Sequence, residues 1–123
     1  MARSSVGLCA SFAIVLSAAP ALADSSYCAR LGENDHYSSK GQRLTSVGAV
    51  IQQDRANYHR FGRPDPEDQG DPVFSNKASR DLLNSRVDDN ALSPAERREI
   101  VEGAPYVCLS VTDDGHAYIT SIR

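Results

Sequence analysis

Apolar residues are sparse along this chain, and their spacing changes from one stretch to the next. After Gly41 they recur at Leu44, Val47, Ile51, Tyr58 and Phe61, with Gln52, Gln53, Arg55, Asn57 and Arg60 set against them. That helical spacing predicts an amphipathic helix over 42–61, its apolar side inward and its polar side in water. Gly48 weakens this helix and Gly62 ends it. A second helix, of about ten residues, is predicted after Phe74, with Ser75 as N-cap and Ala78, Leu82 and Leu83 facing inward. The stretch "LSPAERREIVEG" marks a third. Ser93 is its N-cap, Pro94 occupies the first helical position, Glu96 closes a capping box and Gly103 stops the helix. Near the start, "SSYCARLG" predicts a further helical turn or two, with Cys28 and Leu31 on one side.

From Tyr106 the period drops to two. Val107, Leu109 and Val111 fall on one face and Cys108 and Ser110 on the other, as a half-buried strand requires. "DG" at 114–115 suits a two-residue type I′ turn leading into a second strand. In that register Val111 pairs with Tyr118, Leu109 with Thr120 and Val107 with Ile122. A three-residue turn that includes Asp113 opposes Val111 to Ala117 instead. A lone hairpin is barely stable in water, so its apolar face must lie on the helices. The expected fold class is α+β: three to four short helices packed on a C-terminal two-stranded antiparallel hairpin, with one disulfide.

The first residues read differently. Arg3, an apolar run from Val6 to Leu16 and "ALA" at 21–23 have the form of a cleaved secretory signal peptide, and the run is too short to span a bilayer. This leaves 24–123 as a single small globular domain, exported to the periplasm or secreted and not inserted in a membrane. Its Leu, Ile, Val and Phe residues number only 19. That is close to the limit at which a chain stops burying enough apolar surface to fold, so a crosslink matters. Cys9 leaves with the leader, and Cys28 and Cys108 can form one bridge in an oxidising compartment. In the chain-entropy view, closing so long a loop contributes about 4.5 kcal/mol. The bridge also removes Cys28 as a nucleophile beside His36.

Charge narrows the range of partners. A net charge of −4 after the leader offers no basic stripe for nucleic acid and no polybasic patch for a membrane surface. The segment "GRPDPEDQGDP" has three prolines, two glycines, four acids and no apolar residue, and reads as a solvated connector with a possible role in holding a metal or a basic partner. His36, His59 and His116 show no metal-ligand spacing and are expected at the surface. Neither a hydrolase elbow nor a phosphate loop occurs.

One stretch, "SRVDDNALSPAERREI", resembles the latter half of an EF-hand. Ending a calcium loop at Glu96 places Ser85 first, Val87 third, Asp89 fifth, Ala91 seventh and Ser93 ninth. Val87 has no ligand atom, Ser85 replaces the usual acid, and the capping box accounts for Glu96 without an ion. These residues point to an exported, non-catalytic binding or accessory protein without a cofactor, whose partner is another exported protein or an envelope component. The outer strand of the hairpin is offered as an open edge for that partner. Two alternatives remain. One is a calcium module at 85–96; the other is a small hydrolase-like enzyme built on His59 or His116 beside Asp113 or Asp114.

Overall fold

The computed structural model describes Gly7, Ala13, Ile14 and residues 25–123. The expected leader and its cleavage site therefore fall largely outside the described residues. Among those residues no helix is long and apolar enough to cross a membrane. The fold is α+β, with strands β1 (Ser25–Arg30), β2 (Val87–Asp88), β3 (Tyr106–Val111) and β4 (Ala117–Ile122) and helices α1 (Val47–His59), α2 (Lys77–Arg86) and α3 (Pro94–Glu102). A short 3-10 turn, Glu33–His36, follows β1.

The expected C-terminal hairpin exists, but it is the middle of a four-stranded mixed sheet ordered β1-β3-β4-β2. The stretch "SSYCARLG" is a strand, not a helical turn. Tyr27, Ala29 and Leu31 alternate inward while Ser26 is exposed and Cys28 and Arg30 are half-buried. β1 pairs antiparallel with β3 with Cys28 directly opposite Cys108. Its partner lies about eighty residues away, so no local pattern announces it. The disulfide Cys28–Cys108 is present on the sheet face turned away from the core, with Cα atoms 4.0 Å apart. It locks β1 to the centre of the sheet.

The register of the hairpin departs from the two-residue turn. Val111 opposes Ala117, Ser110 opposes Tyr118 and Leu109 opposes Ile119. The turn runs through Thr112, whose carbonyl accepts from Gly115 N (2.9 Å) and whose N–H donates to His116 O (2.9 Å). Gly115 has φ 85°, the left-handed conformation that ends a three-residue hairpin turn. A bulge between Cys108 and Leu109 then absorbs one residue of β4, so that Val107 meets Ile122 as expected. Ile119 and Ile122, three apart and hence on opposite faces of a regular strand, both reach the core because of it. The outer side of β4 is not fully open, because β2 pairs parallel with it at Ala117 and Tyr118.

The helices start later than their apolar spacing suggests. Ser46 caps α1, accepting from Ala49 N (3.2 Å), so Leu44 lies before the helix. Asn76 rather than Ser75 caps α2, its carbonyl accepting from Ala78 N and Ser79 N at 2.9 and 3.2 Å. Of the predicted inward face of α2 only Leu83 is buried; Leu82 is exposed and so is Ala78. The α3 capping box stands as predicted, with Glu96 N donating to Ser93 Oγ and Ser93 N to Glu96 Oε1. Gly48 does not weaken α1 so much as permit its packing: a Cβ there would lie 2.3 Å from Asn84 O on α2. The core lies between the sheet and the helices. It combines Tyr27, Ala29, Leu31, Val107, Leu109, Val111 and Ala117 from the strands with Val50, Ile51, Leu83, Ile100 and Phe74.

Candidate functional site

The polar side of α1 was expected in water, and much of it is buried. Asp54 and Arg55 are at most 1% exposed, and Asn57 is 6% exposed. The segment 62–72 folds back over this side of the helix and meets it with carboxylates. Arg55 donates to Asp54 Oδ2 (2.7 Å), to Asp71 Oδ2 (2.9 Å) and to Gln69 O (2.9 Å). Its guanidinium sits 4.1 Å from the Tyr27 ring centroid and 4.7 Å from that of Tyr58, a desolvated cation–π arrangement contributing on the order of 2 kcal/mol. Burial opposes the charge of Arg55, but the neighbouring Asp54, Tyr27 and Asp71 outweigh it and raise its pKa further.

Asp71 is the satisfied end of this layer. Besides Arg55 it accepts from His59 Nε2 (2.7 Å), Phe74 N (2.5 Å) and Val73 N (3.0 Å). Burial works to raise its pKa, yet the bonds from His59, Phe74 and Arg55 prevail and hold it below the usual carboxylate range.

The other end is crowded with acids. Asp35, on the 3-10 turn, accepts from Gly32 N (3.0 Å) and from Asn57 Nδ2 (2.8 Å). Asp65, on the folded-back segment, accepts from the same Gly32 N–H at 3.3 Å. Gly32 admits it: a Cβ there would lie 2.6 Å from Asp65 Oδ1. One carboxylate oxygen each from Asp35, Asp54 and Asp65 lie within 4.8 Å of one another. Burial first, and then the Asp54 carboxylate, push Asp35 up to about 8. Burial likewise pushes Asp54 up to about 7 despite the adjacent Arg55 guanidinium. The Asp54 Oδ1 atom and the Tyr27 hydroxyl are buried with no hydrogen-bond partner.

The acidic segment is more than a solvated connector: it is a clasp on the sheet. Its side chains occupy the free amides of β1, the sheet's edge strand. Cys28 N donates to Gln69 Oε1 (2.9 Å) and Arg30 N to Asp68 Oδ1 (2.9 Å), while Gln69 N returns a bond to Cys28 O (2.9 Å). Covering an edge with polar side chains satisfies backbone groups that would otherwise pair with another chain. Prolines at 64, 66 and 72 restrict the path that makes this possible.

The histidines part company. His36 is buried rather than superficial, its Nδ1 2.6 Å from Gly32 O and its Nε2 2.9 Å from Ile100 O, so it ties the 3-10 turn to α3. His59 lies on Asp71, and not beside Asp113 or Asp114, because those acids belong to the β3–β4 turn. His116 does meet Asp114 (Nδ1 to Oδ1, 2.9 Å), but on an exposed turn where Thr112 also bonds Asp114. Ser85 lies within α2 with its hydroxyl on Leu82 O, Asp89 O accepts from Arg97, and Ala91 lies on the exposed turn that leads to Ser93. Glu96 spends its carboxylate on Ser93 N.

Beside the acidic end lies an open cleft of about 480 Å³, lined by Asn34, Tyr37, Ser38, Ser39, Gln53, Asn57, Phe61 and Arg63. Tyr37 and Phe61 are 38% and 39% exposed. Asn57 belongs to both features: it forms part of the cleft wall and holds Asp35, while its carbonyl accepts from Gln53 Nε2 (3.0 Å). None of Asp35, Asp54, Asp65, Asp71 or Arg55 was singled out by sequence motifs. The available signal was the density of acids in a proline-bounded segment with only one arginine of its own. No family model, curated protein or solved structure matches the chain.

Proposed function

We propose that this chain is an exported, non-catalytic binding protein that holds a polar segment of another exported protein or envelope component in the cleft between Tyr37 and Phe61. The observation that carries the reading is the chemistry of the cleft. Its lining offers amides, hydroxyls, an arginine and two half-exposed aromatic rings, and contains no histidine, cysteine or carboxylate. Such a surface recognises hydrogen-bonding groups and stacks against flat or apolar ones, and its hydroxyls have no histidine or carboxylate in the lining to activate them. Support for the export half comes from the disulfide, which suits an oxidising compartment, and from the leader-like start of the sequence. The hydrolase alternative finds less support, since His59 Nε2 is engaged by Asp71, whose oxygens also take Arg55 and two backbone amides.

Affinity capture from an envelope extract, with the double variant Tyr37→Ala/Phe61→Ala as comparison, tests the reading. Both side chains are more than a third exposed, so the variant is expected to fold. One component enriched by the native chain and lost with the variant is the expected result. Equal capture by both chains, or enrichment of nothing, ends the proposal.

A further inference from the structure

We propose that Asp35, Asp54 and Asp65 form a binding site for a calcium ion, separate from the 85–96 segment and independent of what the cleft holds. Three observations converge on it. First, the geometry suits one shared ion. Calcium lies about 2.3–2.6 Å from its oxygen ligands, so two of them stand at most about 5 Å apart across it. The three carboxylate oxygens meet that condition, all lying within 4.8 Å of one another.

Second, the site contains ligand atoms with nothing to bind. Asp54 is 1% exposed and its Oδ1 has no hydrogen-bond partner. The Tyr27 hydroxyl, equally buried and unpartnered, lies within electrostatic reach of Asp54 and Asp68. A buried polar atom left unsatisfied is destabilising, more so when it is charged, and a cation removes that penalty for Asp54 Oδ1. Third, the acids outnumber the cations that reach them. Among the described ion pairs, Arg55 serves both Asp54 and Asp71, while Asp35 and Asp65 have no arginine or lysine partner. Buried carboxylates are paired, protonated or bound to metal.

The donor set also selects the ion. Only oxygens converge here, which favours a hard cation over zinc or copper. The carboxylates are held in advance. Gly32 N–H fixes Asp35 and Asp65 together, Asn57 Nδ2 orients Asp35, and Arg55 Nε orients Asp54. Asp65 comes from the half-exposed clasp segment, which leaves an approach from solvent. Water and the remaining carboxylate oxygens complete the coordination, as calcium sites allow.

Calorimetric titration of the disulfide-bonded chain with calcium chloride, after chelator treatment, is the direct test. One ion per chain is expected, with a Kd at or below about 1 mM. Tyrosine-sensitised terbium emission, displaced by calcium, should accompany it, since the chain has no tryptophan and Tyr27 lies within electrostatic reach of Asp54. Asp65→Asn should weaken binding at least about tenfold, whereas Glu96→Gln should leave it unchanged. Should Asp65→Asn fail to fold, amide spectra of the native chain decide, because the Gly32 N–H that bridges Asp35 and Asp65 must shift on calcium addition. No heat and no Gly32 shift up to about 10 mM, tenfold above the weak end of extracellular calcium modules, overturns the proposal. Loss of binding in Glu96→Gln with retention in Asp65→Asn overturns it equally.

Discussion

Asp54 on α1 and Asp71 on the segment that packs against it both have buried side chains in contact with Arg55, yet their carboxyls shift in opposite directions. The difference is in what else each one meets. Asp71 gathers four donors, two of them backbone amides at the entry to the Phe74 turn, and so remains an anion at little cost. Asp54 has Arg55 on one oxygen and nothing on the other, with Asp35, Asp65 and Asp68 nearby. Burial by itself therefore decides neither outcome. The number of donors aimed at a carboxylate sets its charge, and the same layer holds a fully bonded carboxylate at one end and an under-bonded one at the other.

Removing Asp71 should have the largest effect. Asp71→Ala leaves Arg55 buried without its second carboxylate and frees His59 and two amides. Breaking a buried pair in this way is expected to destabilise by about 3–5 kcal/mol in urea unfolding at neutral pH. A loss below about 1 kcal/mol would contradict the role assigned to Asp71.

The pH profile of the metal-free chain should separate the two ends. Asp35 rises from 3.8 to about 8 and Asp54 from 3.8 to about 7, so the folded chain holds protons there that the unfolded chain has released. Their contribution to stability is full below the unfolded pKa near 3.8 and is lost as pH climbs through the folded values. In chelator, stability is expected to fall between those limits by more than about 1 kcal/mol. Asp71 acts in the opposite sense: its lowered pKa contributes stability above 3.8 that disappears as pH drops below it. Denaturation midpoints measured across this range, flat from acid to neutral, would count against the crowded-acid view.

Asp65→Asn should have the smallest effect. Its amide can donate to the Asp35 carboxyl that the Asp65 carboxylate opposes, and Gly32 N–H keeps an acceptor. Stability in chelator at neutral pH should change by less than about 1 kcal/mol, and the decline with rising pH should become shallower. A loss as large as that for Asp71→Ala would remove the contrast between the two ends.

Several elements were readable before any coordinates because their causes are local. Ser93, Pro94, Glu96 and Gly103 write the limits of α3 within twelve residues, and the alternation from Val107 to Val111 names the buried face of β3. The α1 periodicity found the helix but placed its start five residues early, since Ser46 and not the first apolar residue, Leu44, sets the first turn. In the hairpin, Asp114–Gly115 signalled a turn without fixing its length; Thr112 and the bulge opposite Cys108 decided the register. The candidate site was not legible. Its acids sit at 35, 54, 65 and 71 on three separate segments, and α1 residues that look solvent-facing are covered by a segment with no apolar residue to announce that it packs.

The chain by itself determined the pairing of Cys28 with Cys108, the three capped helices in outline and the alternating strand at its end. These depend on contacts within a few residues, or on there being only two cysteines outside the expected leader. Only the tertiary structure decided that β1 is a strand, that the proline-bounded segment clasps its edge, and that acids far apart in sequence face one another around Arg55. Long-range pairing, and the dehydration that follows from it, assign these positions. A carboxylate in the sequence carries no mark of whether water or another carboxylate will be its neighbour.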